Sequence, residues 1–402
     1  MKSKNYIREI QLPLLVAIGI LLLASCRNET DDSVGNTPQS AVELVPLLSP
    51  YRDVQEPTSR ADGMLPEGYL SYDELYPTTM PPNKTIGIFL TPDRSTSLGT
   101  FIYEGKVDGI SNWKSTITVE QGKQYYIYGF MPRSGAENAT ITSLNGTGDD
   151  DYANGAKISI ANYDALTTAD VSVIVGLRWA TEDEKINGID SATGSDVPLG
   201  HFGYKGMPEG KNRLFVLLKH IYAGLHFATK VDPVYNNLRT IRITKVELTA
   251  KDIKEKVKLE ITLTANANGE DPLTNVTYTP VSSSSTNTTI TLYEKDDVQE
   301  PLGVTVPADQ FNDFLGCLVP GSTENFILRT TYDVYDKDTS VKPEGNLIRK
   351  GCVAENIIDR NRISTFPNLK AGELFTVNLL IQPTFLYVLS EPDLDNPTIT
   401  IQ

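Results

Sequence analysis

Few residues in this chain have the types and spacing that chemistry needs. Its 402 residues include three histidines, His201, His220 and His226, and three cysteines, Cys26, Cys317 and Cys352. Acid–base and covalent catalysis need groups that titrate near neutral pH or a nucleophile beside a base, and so few histidines supply little of either. His220 and His226 lie in the strand-like run "KHIYAGLH". On one strand they would face the same side about 20 Å apart, at roughly 3.3 Å per residue, too far to share one metal. They read as core or surface histidines. Two acidic clusters, "NGTGDDDYANG" with Asp149, Asp150 and Asp151, and "EPDLDNP" with Asp393 and Asp395, offer the oxygen ligands that calcium takes. Neither follows the spacing of a calcium loop, so both read as solvated turns. No CxxC, HExxH, GxSxG or P-loop pattern stands out. The expectation is therefore no catalytic residue, no metal site and no cofactor.

Cys26 is placed differently. Lys2, Lys4 and Arg8 precede an apolar run from Leu12 to Ala24. That run is shorter than the roughly 20 residues that span a bilayer as a helix, so 1–25 reads as a signal peptide. Leu23-Ala24-Ser25-Cys26 is similar to the bacterial lipobox, in which small residues precede a cysteine that is diacylated on sulfur before cleavage. Lipid on Cys26 would anchor the chain without spanning the membrane. Exported proteins keep disulfides, and Cys317 and Cys352 remain to form one. They either bridge neighbouring strands or stay as two buried free thiols.

The elements around these residues read as β-structure. Residues 26–60 form a polar tether with a strand candidate in "AVELVPLLSPY", and from Lys84 onward short apolar runs are closed by turn residues. "STITVEQGKQYYIYGF" predicts a hairpin turning at Gly122. In "TIRITKVELTA" the apolar phase moves from Ile241 and Ile243 to Val246 and Leu248, which predicts a bulge. "KVKLEITLTA" alternates Val257, Leu259, Ile261 and Leu263, so one face of that strand is buried. No helix of normal length is expected. Trp113, Trp179 and 19 tyrosines supply either a sugar-binding platform or, as strand aromatics more often do, cross-strand packing. "GYKGMPEGKNR", residues 203–213, marks the boundary between two β-sandwiches, 61–212 and 213–402. A net charge of −15 argues against nucleic acid as a partner.

Four stretches together resemble the fimbrillin, or Mfa-like, family of surface lipoproteins: the Cys26 leader, "NWKSTITVEQGKQYYIYGFMP", "LKHIYAGLHFATKV" and "AGELFTVNLLIQPTFLYVLSEPDLDNP". The resemblance implies an all-β chain of two tandem transthyretin-like sandwiches and a non-enzymatic subunit of a fimbrium. It implies passage through the periplasm as a lipidated precursor held at the outer membrane by its lipid before processing, with other fimbrial subunits and a host or bacterial surface ligand as partners. It also implies a cut by an arginine-specific protease that removes the first strand, whose groove then accepts a strand from another subunit. Carried onto this sequence, the bond is Arg60-Ala61, with Arg52 as second choice. Stalk subunits of the family carry a long C-terminal tail, whereas here Thr398, Ile399, Thr400, Ile401 and Gln402 make only a short strand candidate. That departure favours a tip or accessory subunit. The alternative is an uncut lipid-anchored protein that binds glycans or another ligand, or anchors a fimbrium.

Overall fold

A computed structural model of the chain divides it into two compact units, Met1–Pro38 and Gln39–Gln402. It describes residues 39–55, 70–71, 85–91, 98–107, 110–115, 117–144, 151–179, 199–266, 268–282, 286–321, 325–359, 361–363, 367–385 and 392–401, all in the second unit. Cys26, Arg60, Ala61, Asp149, Asp150 and Gln402 lie outside the described residues.

The chain is all-β. Among the described residues the α-helix is a single turn, Pro233–Asn236, opened by Pro233 and capped by Asp232, whose carboxylate accepts the Tyr235 N–H. No helix among the described residues is long and apolar enough to cross a membrane.

A nine-stranded sheet runs in the order Leu70–Ser71, Glu43–Leu48, Arg213–His220, Ser172–Trp179, Gln124–Met131, Thr85–Thr91, Leu98–Val107 and Ile110–Ser115, with Gly203–Lys205 also on Gln124–Met131. Beside it a four-stranded sheet joins Thr140–Ser143, Gly155–Asp164, Lys256–Thr264 and Leu273–Pro280. A third sheet orders Leu166–Thr167, Asn312–Leu318, Ala223–Val231, Glu373–Phe385 and Pro392–Ile401. A fourth orders Thr286–Glu294, Thr240–Ile253, Asn325–Tyr335 and Leu347–Asp359.

Strand alternation sets the cores. Val257, Leu259, Ile261 and Leu263 are all buried, as their spacing predicts, and the phase change near Ile243 is a register shift against Asn325–Tyr335. The nine-stranded sheet is apolar on both faces. Along Gln124–Met131, Tyr125, Ile127 and Met131 enter one core cluster, whereas Tyr128 and Phe130 enter the other. These tyrosines, with Tyr204, Tyr222, Tyr235 and Tyr332, are buried, so they pack cores and offer no surface platform. Trp113 is buried as well.

Three expectations are corrected. The run "RLFVLLKHIYAGLHFATKV" is not one strand: it breaks after His220, and Arg213–His220 and Ala223–Val231 join different sheets. Sheet membership does not follow residue 212 either. Arg213–His220 pairs with Ser172–Trp179, and Lys256–Thr264 returns to pair with Gly155–Asp164, because its one apolar face completes the core over the first half of the chain. Third, Gly122 makes the expected turn with a positive φ, but Thr118–Glu120 does not form a hairpin with Gln124–Met131 and pairs instead with Gln39–Ala41.

Candidate functional site: the seat of the N-terminal leader

Residues 39–53 form a leader laid across three sheets. Gln39–Ala41 pairs with Thr118–Glu120, Glu43–Leu48 runs parallel to Arg213–His220, and Arg52–Asp53 runs parallel to Glu373–Phe385. Parallel neighbours cannot be joined by a tight turn, so neither parallel stretch is half of a hairpin. Among the described residues, Leu70–Ser71 pairs with Leu47 and Leu48 on the other side of Glu43–Leu48. Pro46, which has no N–H to donate, is tolerated at such a position.

Apolar side chains hold the leader from both faces. Val42, Leu44 and Leu48 enter one core cluster and Leu47 the other, each no more than 6% exposed. Fully burying such a side chain contributes about 1.5–3 kcal/mol. Backbone bonds continue past the ladder: Glu43 N–H donates to Asn212 O at 2.7 Å, and Ser49 N–H donates to Leu218 O at 3.0 Å. Ser40 accepts a hydrogen bond from the Asn212 side chain at 2.6 Å.

Beyond Ser49 the leader crosses a buried polar cluster. The Tyr51 ring stacks on His220 with centroids 3.8 Å apart and planes 10° from parallel, and its hydroxyl donates to Asp170 Oδ1 at 2.7 Å. His220 Nδ1 lies 2.8 Å from the same carboxylate oxygen, and Nε2 faces the Ser49 carbonyl oxygen. Ser172 Oγ is 3.2 Å from Nδ1 and 3.4 Å from Asp170 Oδ1. The Arg52 guanidinium then pairs with Glu373, whose other oxygen accepts the Lys370 N–H at 2.8 Å. Asp53 Oδ2 accepts from Thr376 Oγ1 at 3.2 Å.

Ser172, His220 and Asp170 have the residue types of a hydrolase triad but not its arrangement. A nucleophilic serine and the orienting carboxylate must sit on opposite ring nitrogens. Here both face Nδ1, Nε2 is taken by a backbone carbonyl, and all three residues are at most 1% exposed. The cluster fastens a strand. Sequence reasoning missed Asp170 and Ser172, which look like a turn before an ordinary strand in "TTADVSVIV".

Cys317 and Cys352 are free thiols and not neighbours: Cys317 lies on Asn312–Leu318 and Cys352 on Leu347–Asp359, in different sheets. Cys317 is fully buried beneath the leader with its sulfur 3.6 Å from the Tyr51 hydroxyl. Burial, and secondarily the Asp170 charge, push its thiol well above the usual range, while the Tyr51 contact opposes them. His226 makes its own contacts, with Asp313 at 2.9 Å and Thr376 at 3.2 Å. Asp395 is an ion-pair partner of Arg239 at 2.8 Å.

The final strand is longer than expected and is seated in its own sheet. Pro392–Ile401 pairs with Glu373–Phe385, placing Thr398, Ile399, Thr400 and Ile401 opposite Gln382, Ile381, Leu380 and Leu379. The register shifts between Pro383 and Thr384, which lets a stretch that reads as a turn, "PDLDNP", join the ladder. Tyr332 Oη donates to Pro397 O at 2.9 Å, Asn356 Nδ2 to Ile399 O at 2.8 Å and Tyr235 Oη to Leu394 O at 2.7 Å. Burial pushes the Tyr332 phenol up to about 12, with Cys352 adding to it, so it remains a donor near neutral pH. Ala223–Val231 occupies one side of Glu373–Phe385, so the leader and the final strand share the other, at residues 373–374 and 379–385.

No family model and no curated protein matches the chain. It is similar to solved structures from Bacteroides. A protein of Bacteroides fragilis named for cell adhesion is 10% identical with a TM-score of 0.38, covering 90% of this chain and 96% of that one. One of Bacteroides uniformis, also named for cell adhesion, is 10% identical with a TM-score of 0.34 over 92% and 98%. A fimbrial protein of Bacteroides vulgatus is 10% identical with a TM-score of 0.28 over 89% and 98%. At these scores the functional argument rests on the leader and its seat.

Proposed function

We propose that the chain is a non-enzymatic, adhesive subunit of a cell-surface fimbrium, held at the outer membrane as a precursor through lipid on Cys26. A cut at Arg60-Ala61 frees the leader, and a strand from another subunit takes its place. The observation that carries this reading is the leader itself. One segment, parallel to Arg213–His220 and to Glu373–Phe385, places apolar side chains in both core clusters, and its last paired residue, Asp53, precedes Arg60. Once it leaves, Arg213–His220 presents an unpaired edge whose backbone groups and apolar walls require a replacement strand.

The final strand supports an accepting role at the tip or in an accessory position, since its residues are committed to their own sheet. In this reading the nine- and four-stranded sheets make a first sandwich and the remaining larger sheets a second, in tandem and transthyretin-like. A lipid-anchored ligand-binding protein that keeps its leader is the second reading, favoured by how completely the leader is seated.

Mass analysis of the surface-exposed protein tests the proposal. A chain beginning at Ala61 is expected. An acylated Cys26 on all mature molecules would overturn strand replacement and leave the anchored protein.

A further inference from the structure

The groove that receives the leader asks for more than an apolar strand. Tyr51 serves the buried cluster with its side chain: its ring covers His220 and its hydroxyl donates to Asp170. Asp170 and His220 are each 1% exposed, and Cys317 beneath them is fully buried. A strand that filled the apolar positions but carried an aliphatic side chain here would keep the ladder. It would also take a hydroxyl donor away from a buried carboxylate, and such a loss is felt in full because water cannot replace it.

Resting on the strand-replacement reading above, we propose that this groove selects its incoming strand by a tyrosine placed three residues beyond the second of two adjacent buried leucines, as Tyr51 stands to Leu48. The partner is therefore a segment with buried apolar residues at the positions of Val42, Leu44, Leu47 and Leu48 and an aromatic hydroxyl at the position of Tyr51. This chain's own C-terminal segment does not qualify. "EPDLDNPTITIQ", residues 391–402, contains no aromatic residue and no pair of adjacent leucines. A second copy of this chain is thus excluded as donor through that segment, and the donor is a different subunit.

The test uses the full chain with a site-specific protease sequence replacing residues 57–60, cut after purification. A fluorescent peptide of the leader, residues 39–53, is then exchanged into the cut protein and followed by anisotropy, in competition with unlabelled peptides. The leader peptide is expected to exchange in. A Tyr51→Phe peptide keeps the ring and ladder and loses only the hydroxyl, so it is expected to compete roughly 10- to 150-fold less well, the range for losing a hydrogen bond to a charged group. A peptide of residues 391–402 is expected not to compete. Competition by the Tyr51→Phe peptide within about twofold of the leader peptide would overturn the selection rule while leaving strand replacement standing. Equal competition by the C-terminal peptide would overturn the exclusion of self-donation. If the leader peptide itself never exchanges, strand replacement fails and this proposal fails with it.

Discussion

Ile399→Ala separates a seated final strand from a projecting one. Ile399 is 4% exposed, pairs with Ile381 and contributes to the main core cluster. Large-to-small changes at such positions cost about 2–5 kcal/mol, because a cavity adds to the lost burial. The neighbouring bond from Tyr332 to Pro397 O reports on the same strand. Tyr332→Phe removes the donor and leaves that carbonyl without it, costing about 1–3 kcal/mol. As a control, Val298→Ala, at a residue 89% exposed, stays within about 0.5 kcal/mol of the parent. Urea denaturation followed by far-UV circular dichroism reads all three, and the double variant reads their coupling, which is expected because both act on one docked strand. A tail that projects into solvent would give Ile399→Ala the behaviour of the Val298 control. That result would refute the seated strand and restore this segment as a free donor.

The buried cluster and two backbone sites give further outcomes. His220→Ala removes one hydrogen-bond partner of buried Asp170 and the ring stacked on Tyr51 and is expected to cost about 1–3 kcal/mol, with earlier proteolysis of the leader in a trypsin time course. Cys317 is expected to resist alkylation in the native protein and to react once the leader is displaced, whereas half-buried Cys352 reacts more readily; mass spectrometry after iodoacetamide reads both. Gly155 has a φ of 132°, and a Cβ there would overlap Leu263 O, so Gly155→Ala is expected to lower the melting temperature by distorting the pairing of Gly155–Asp164 with Lys256–Thr264. Asp336 is held below its usual range by the Asn346 backbone N–H and then by the Asn346 side chain. Stability from such a lowered carboxyl is present above the unfolded-state value near 4 and is lost as pH falls through the folded value. The melting-temperature gap between the parent and Asp336→Ala should therefore close as the solution is acidified below about pH 4.

What the sequence revealed depended on how local the determinant was. Strict alternation from Val257 to Leu263 and the phase change after Ile243 are properties of a few consecutive residues, and both elements form as they read. A continuous apolar run carries no such mark. Strands buried on both faces lose their period, so the break between His220 and Ala223 could not be seen. Thr118–Glu120 looked like half of a hairpin because its true partner, Gln39–Ala41, is far away in sequence. Prolines made "PDLDNP" read as a turn, although edge strands accept proline where no ladder N–H is needed. The leader was visible as a strand candidate, but its seat was not: Asp170, Ser172 and His220 acquire their meaning only when Ser49 and Tyr51 are laid across them.

The shared edge of Glu373–Phe385 bears on the order in which the chain folds. Arg52 meets Glu373 across 321 residues, and Asp53 meets Thr376 across 323. Loop closure over such separations is entropically costly and slows folding. Arg52–Asp53 therefore finishes pairing only after Glu373–Phe385 exists. Until then Arg52–Asp53 remains without its final partner, open to any enzyme that must act on it before the sheet closes.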